Sequence, residues 1–594
     1  MYTNEKHALM VLSLLKAHGV RKIVVSPGST NIPISGSVQQ DSFFEVYSSV
    51  DERSAAYMAC GLAEASGEMV ALSCTGATAS RNYLSGLTEA FYRKLPVIAI
   101  TSFNGNEYNG HLVAQNIDRK SIQNDVAKLS VHIPVIKDQK DEWYCNTLVN
   151  QALLEARRGG GGPVHINMSS SYTGVFDVKE LPKVRVISRH FSTNNLPDTK
   201  GRKVAIFVGA HKTFSEEDIT AIEMFCEKRI CVVICDHTSN YSGRFKINGA
   251  LLASNYGRLN VLWKELCPDL VIHLGEVSGD YPSSRVLSET REVWRVSEDG
   301  ELRDQGKKLS LIYQGTEQSF FEGVGVGDEN NSYYELWLKS DKELRSMIPE
   351  LPFSNLWMGS KLSEKLNFDC SLHLGILNSL RSWNYFDVPK GVSINCNVGG
   401  FGIDGCMSTM IGSSLVDKEK LHFIVLGDLA FFYDLNSLAN RHLGKNVRIL
   451  LVNNGCGVEF NNSSHIASRF GVDANQFIAA GGHFNSGSNG SSEILGVDDR
   501  VQGSLAKAWC EKLGFRYRSV RGKTDFSENL DMFLDSSSPV PIIMECFTEV
   551  RFESSALECI NNLNKSAIEK VAGRAKKVLP SGVSSKAKKI LLGK

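Results

Sequence analysis

GDLAFFYDLNSLANRHLGKNVRILLVNN, residues 427–454, decides how the rest of the chain is read. The apolar run FIVLG (423–427) ends at Asp428, a helical pattern follows, and a second apolar run, VRILLV (447–452), ends at Asn453 and Asn454. Strand, turn, helix and strand in that order predict a parallel α/β unit. Asp428 and Asn454 then fall at the carboxyl ends of two strands, the edge on which parallel sheets bind ligands. A carboxylate and a carboxamide oxygen there suit a magnesium ion that completes its shell with waters and diphosphate oxygens. Each residue also has a local explanation, Asp428 as a helix cap and Asn-Asn-Gly as a turn.

The same alternation recurs on both sides of this stretch. RKIVVSPGS (21–29), FFEVYSSVDERSAAYMACGLAEASG (43–67), MVALSCTGATASRNYLSGLTEAF (69–91), LPVIAITS (95–102) and GPVHINM (162–168) each pair a strand with a turn or helix. Residues 181–200 lose the periodicity and read as a linker. A middle unit follows through KVAIFVGA (203–210), RICVVICD (229–236) and DLVIHLGE (269–276), and the pattern weakens from about 310 to 355. The fold expected is α/β, with three doubly wound parallel-sheet domains at 1–180, 200–350 and 360–560, and a basic tail at 561–594. HFNSGSNGSSE (483–493) is expected to be a Gly/Ser-rich loop.

Composition narrows the class. The 594 residues exceed one core, and 42% hydrophobic with 22% charged residues is ordinary for a soluble globular protein. Zero net charge gives no global footprint for nucleic acid. No apolar run is long enough for a membrane span, and the first residues read as an amphipathic helix instead of a signal peptide. Fourteen cysteines without CxxC pairs fit reduced thiols in the cytoplasm.

Two further features bear on chemistry. GFGIDG (400–405) matches a dinucleotide fingerprint after a strand. No acid ends a second strand about 20 residues on, where a ribose contact belongs, so an NAD oxidoreductase rests on that match alone. Glu52 follows a strand and opens a helix, where a carboxylate is stabilising on dipole grounds. Its functional reading requires a basic heterocycle nitrogen in an apolar cleft.

Taken together, SPGS (26–29), DERSAAY (51–57), CTGATA (74–79), QNID (115–118), GPVHIN (162–167), FGIDG (401–405), GDLAFFYDLNSL (427–438) and NNGCGVEF (453–460) resemble the thiamine diphosphate dependent decarboxylase and carboligase superfamily. The nearest pattern within it is the 2-succinyl-5-enolpyruvyl-6-hydroxy-3-cyclohexene-1-carboxylate synthase family of the menaquinone pathway. The resemblance implies pyrimidine-binding, central and diphosphate-binding domains. It implies that Asp428, Asn454 and the Cys456 carbonyl hold Mg²⁺ against the diphosphate, with Ser29, Gly402, Gly427 and Leu429 also at the cofactor. Ile403 would wedge under the cofactor, and Glu52 would hydrogen-bond its aminopyrimidine and promote formation of the ylid. Gln115, Ser379, Arg81, Trp383 and Phe460 fall on the substrate side. His111, just upstream of Gln115, would relay protons, while His165 reads as structural. Glu52 and Asp428 would come from different subunits, giving a homodimer or a dimer of dimers.

The resemblance breaks where the family uses arginines. Thr30, Asn104, Trp383 and Val398 stand at those positions, with Arg81 and Arg381 as replacement candidates. Because arginine's planar fork matches carboxylates, the expectation is a less anionic substrate. The enzyme expected is therefore a carboligase other than the menaquinone enzyme, joining a 2-oxo acid donor to a carbonyl acceptor, with a sugar-derived carbonyl as the candidate. A plain 2-oxo acid decarboxylase and a non-catalytic thiamine diphosphate-binding paralogue stand as alternatives.

Overall fold

The computed structural model describes residues 1–119, 122–171, 173–256, 261–324, 330–366, 369–462, 465–486 and 492–564. The basic tail from 565 onward and the centre of the Gly/Ser-rich loop lie outside them. The chain forms two compact units, Met1–Phe191 with Asp299–Gln314, and Ser192–Glu298 with Gly315–Lys594.

The first unit holds a six-stranded parallel sheet. Its order is Glu45–Ser48, Lys22–Val25, Val70–Thr75, Val97–Phe103, Val164–Ser169, Leu129–Ile133. The central strands Val70–Thr75, Val97–Phe103 and Val164–Ser169 are buried on both faces, which is why these runs are apolar without alternation. Ile23, Ala71, Ile98 and Val164 pack with Leu12, Leu15, Val149 and Leu153. Val24, Leu72, Val97 and Ala99 pack on the opposite face with Ala55, Ala59 and Leu87. Each fully buried aliphatic side chain contributes about 1.5–3 kcal/mol. A further parallel pair in this unit joins Ser188–His190 to Leu309–Gln314.

The second unit contains two sets of parallel strands. One runs Lys246–Asn248, Cys231–Cys235, Val204–Val208, Leu270–Leu274, Glu292–Ser297. The other runs Ser393–Asn395, Cys370–Leu374, Leu421–Gly427, Val447–Asn453, Ile542–Phe547, Arg516–Val520. The strands of this last sheet follow the same order, relative to the chain, as those of the first unit's six-stranded sheet. In both, the order reverses beside the first strand, so the loops after the first and third strands flank a crevice at the sheet's carboxyl edge. The expected α/β class with doubly wound parallel sheets is what is found.

The opening stretch differs from its reading in one respect. The helix after Asp428 spans only Asp428–Tyr433 and gives way to a 3₁₀ turn, Leu435–Ala439. Asp434 interrupts it because its carboxylate turns away, accepting hydrogen bonds from the Ser408 N–H at 2.6 Å and the Ser408 hydroxyl at 2.5 Å. It thereby caps the helix Cys406–Val416 from outside.

Among the described residues no cysteine is in a disulfide. Among the described residues no helix is long and apolar enough to cross a membrane.

Candidate active site

At the crevice of the 370–547 sheet, the strand Leu421–Gly427 delivers Asp428 and the strand Val447–Asn453 delivers Asn454. Asp428 is buried, and its carboxylate accepts hydrogen bonds from two backbone groups, the Leu429 N–H at 3.0 Å and the Gly455 N–H at 2.7 Å. Gly455, at φ +80°, permits the turn that aims its N–H there. Burial pushes the Asp428 carboxyl up to about 7, against the pull of those N–H groups and of Arg500. A buried carboxylate with no ion pair is a demanding arrangement, and a cation relieves it. The Asn454 Oδ1 accepts the Cys456 N–H at 3.3 Å. Among the described residues no group of three or more His, Cys, Asp or Glu side chains is placed to hold a metal ion by itself. Asp428, Asn454 and Cys456 line one cavity, and a carboxylate, a carboxamide and a backbone carbonyl are the donor types a hard cation takes when it shares its shell with a phosphate. The residues present fit the cofactor and its metal.

Arg500 builds the edge behind this pair. It is 2% exposed and donates to the carbonyls of Asn453, Leu495 at 3.1 Å and Thr548 at 2.7 Å, tying two strand ends to one loop.

A cavity of about 180 Å³ opens over the pair, walled by Gly427, Asp428, Leu429, Ile403, Ser379, Asn454, Cys456 and Phe460. GFGIDG is therefore a turn that presents Ile403 to this cavity, with Phe401 at φ +56°. Ser379 is buried and accepts the Asn355 amide at 3.0 Å. Trp383 is fully buried and donates to the same Asn355 side chain at 3.1 Å, placing it in the core behind the cavity and not on its wall. Gly402 lies beside Ile403 but also off the wall.

Two acids on the wall have no role assigned from the sequence, although Glu459 lies within NNGCGVEF (453–460). Glu459 forms a bidentate pair with Arg381 at 2.6 and 3.1 Å. Arg381 is therefore occupied. Glu553, from the helix Val550–Ile560, accepts the Asn355 N–H at 3.0 and 3.2 Å, and burial pushes it up to about 7. Its sequence signal is only an acid on an amphipathic helix, which nothing local distinguishes from a surface residue.

The first unit carries the other set. Glu52 is the first residue of the helix Glu52–Ser66, behind the Asp51 cap, and its Oε2 accepts the Asn82 amide at 3.4 Å. The SPGS loop meets the CTGATA turn so closely that a Cβ on Gly28 would stand 2.6 Å from the Thr75 Cβ. Ser29 is exposed on that loop, and Thr30 is buried against Thr75 and donates to the Ser102 carbonyl at 2.7 Å. His111 and Gln115 are exposed on the loop after the strand Val97–Phe103. Gln115 has φ +62°, a strained value for a residue with a side chain. Arg81 donates to the Asp118 carbonyl at 3.0 Å. His165 is buried between the Thr101 and Ser130 hydroxyls, both at 2.8 Å, and is structural in that role.

Residues 6–122 match the family model described as thiamine pyrophosphate enzyme, N-terminal TPP binding domain. The chain is 32% identical over 577 residues to the 2-succinyl-5-enolpyruvyl-6-hydroxy-3-cyclohexene-1-carboxylate synthase of Bacteroides fragilis, covering 94% of this chain and 99% of that protein. The enzymes of the same name from Bacteroides thetaiotaomicron and Porphyromonas gingivalis are 31% and 27% identical, over 94% and 77% of this chain and 98% and 83% of theirs. These relatives overturn the expectation of a carboligase distinct from the menaquinone enzyme, with a sugar-derived acceptor. The physical reason is that a carboxylate can be met by a cation from any element at the sheet edge, so four missing arginines do not define the substrate. The plain decarboxylase and the non-catalytic paralogue fall with that expectation. With identity spread across nearly the full length of both chains, this protein is a thiamine diphosphate- and divalent metal-dependent enzyme and belongs to the 2-succinyl-5-enolpyruvyl-6-hydroxy-3-cyclohexene-1-carboxylate synthase family.

Proposed function

We propose that the chain catalyses the reaction its relatives are named for, in the cytoplasm, with Mg²⁺ as the metal. The succinyl group in that product is what 2-oxoglutarate leaves after losing CO₂, and the remainder of the name describes the skeleton of isochorismate as acceptor. The observation that carries the reading is the convergence of Asp428, Asn454, Cys456 and Ile403 on one cavity in a chain related to those enzymes over its whole length.

Thiamine diphosphate supplies the carbon nucleophile and the electron sink for decarboxylation. Asp428, the Asn454 carboxamide and the Cys456 carbonyl would hold the metal against its diphosphate, and Ile403 would give its rings an apolar support. Glu52 holds a carboxylate at a helix N-terminus, ready to accept a hydrogen bond from the aminopyrimidine. Phe460 limits water in the cavity where charge develops. On the substrate side, Gln115 and Ser379 orient the donor, and His111 exchanges protons with it. Residues 1–180 serve as the pyrimidine-binding domain, 200–350 as the central domain and 360–560 as the diphosphate-binding domain. Glu52 of one protomer serves the metal pair of another, so the active species is a homodimer or a dimer of dimers.

The test is to incubate the purified chain with Mg²⁺, thiamine diphosphate, 2-oxoglutarate and isochorismate, and to follow both CO₂ and the coupled product by mass spectrometry. Stoichiometric CO₂ and product are expected. Release of CO₂ without product, or neither, would overturn the reading.

A further inference from the structure

Arg119 is the least compensated cation in the first unit's edge. It is 5% exposed, and Nε, Nη1 and Nη2 all lack a hydrogen-bond partner. A buried guanidinium with five unused N–H donors calls for an explanation, because leaving such a charge dry costs several kcal/mol. Its face is taken: the guanidinium carbon sits 4.4 Å from the centroid of the Phe103 ring. That stacking fixes the plane and leaves the donor edge free.

Among the described residues no anion supplies the missing charge. The groups acting on Arg119 are Cys74, whose thiol burial pushes up to about 12 and keeps neutral, and Arg81, which repels it. His165 shares the small cavity with both arginines and is held neutral, since burial drives it down to about 3. The donor edge lies against the turn after the strand Val70–Thr75. A Cβ on Gly76 would stand 3.3 Å from Nη1 and 3.2 Å from the Ser102 carbonyl, so glycine keeps that approach clear. The Ser102 carbonyl is also the acceptor of Thr30, one of the positions where the family pattern has arginine. Arg81 directly precedes Asn82, whose amide reaches Glu52.

We infer that Arg119, seconded by Arg81, is a carboxylate-recognition subsite at the edge of the first sheet, binding a carboxylate group of one of the two substrates. The inference rests on the reaction proposed above for the identity of those substrates. The guanidinium fork receives both carboxylate oxygens, and the cation that Thr30 no longer provides is delivered from a different element.

The experiment titrates the thiamine diphosphate and Mg²⁺-loaded enzyme calorimetrically, as wild type, R119Q and R119K. The probes are succinate, isochorismate without donor, and acetate. R119Q is expected to bind one of these about ten- to a hundredfold more weakly. R119K keeps the charge but loses the fork, so it should recover part of the loss, with cofactor affinity unchanged in both. Loss confined to succinate assigns the site to the donor, and loss confined to isochorismate assigns it to the acceptor. Equal binding of every probe by wild type and R119Q, or no binding of any probe by wild type, overturns the subsite. Arg119-dependent binding together with no product from 2-oxoglutarate and isochorismate would sink the proposed reaction and leave the carboxylate subsite standing.

Discussion

Asp428 shows how burial and metal binding trade against each other at a single residue. With its carboxyl raised to about 7, the metal-free folded protein binds a proton that the unfolded chain releases near the ordinary carboxylate value. Stability of the metal-free protein therefore falls as pH rises from about 4 to about 7. Glu553, raised to about 7 in the same cavity, adds to that slope. Asp428→Asn should flatten part of it in thermal melts, raise the metal-free Tm at neutral pH, and abolish the stabilisation by Mg²⁺ and thiamine diphosphate. An unchanged Mg²⁺ response would remove Asp428 from the metal site. Glu52→Gln is expected to lower kcat by about 10²–10⁴ with cofactor binding retained. Loss of cofactor binding instead would make Glu52 an anchor and not a participant in proton transfer. Asp428, Asn454 and Ile403 were legible because each ends a strand or sits on a glycine turn beside a recognisable segment. Glu553 and Arg500 were not, since tertiary packing alone brings them beside these strand ends, while Glu459 sits within NNGCGVEF with nothing local to mark a role.

The short helix after Asp428 is the instructive element. Its apolar positions, Ala430, Phe431 and Leu438, are buried as an amphipathic pattern requires, yet the chain leaves α geometry at Asp434. Propensity could not reveal this, because the Asp434 carboxylate is committed to Ser408, 26 residues earlier. Asp434→Ala should leave the end of the Cys406–Val416 helix uncapped and cost about 1–2 kcal/mol in urea unfolding. Because that helix follows the Ile403 turn, cofactor affinity should weaken as well. A second element-level contact is Gly86, where an added Cβ would stand 2.5 Å from the Ala56 Cβ. Gly86→Ala should force the helices Glu52–Ser66 and Leu84–Tyr92 apart and destabilise the protein by about 1–3 kcal/mol. A stability equal to wild type in the same titration would show that these helices shift freely. The stretch 181–200 read as linker because its strand, Ser188–His190, has only three residues, and its partner lies at Leu309–Gln314. Strands that short carry no periodicity.

For the whole molecule, parallel sheets were legible from apolar runs buried on both faces, but two sheets with one strand order were not. Topology depends on which strands pair, and residue types at 70–103 and 421–453 do not encode that locally. The shared order gives two crevices in one chain, Glu52 at the edge of one sheet and Asp428 at the edge of the other. The proposed dimer joins each crevice to the opposite one of its partner, and this makes a quantitative demand on two inactive variants. A mixed dimer of Glu52→Gln and Asp428→Asn protomers has one site carrying both lesions and one carrying neither. After complete subunit exchange about half the dimers are mixed, each with one sound site, so activity should return to about a quarter of wild type. Light scattering fixes the oligomeric state, and native mass spectrometry verifies the exchange. If mixed dimers form and activity stays at the level of the separate variants, each site is built within one chain and the shared-site arrangement is wrong.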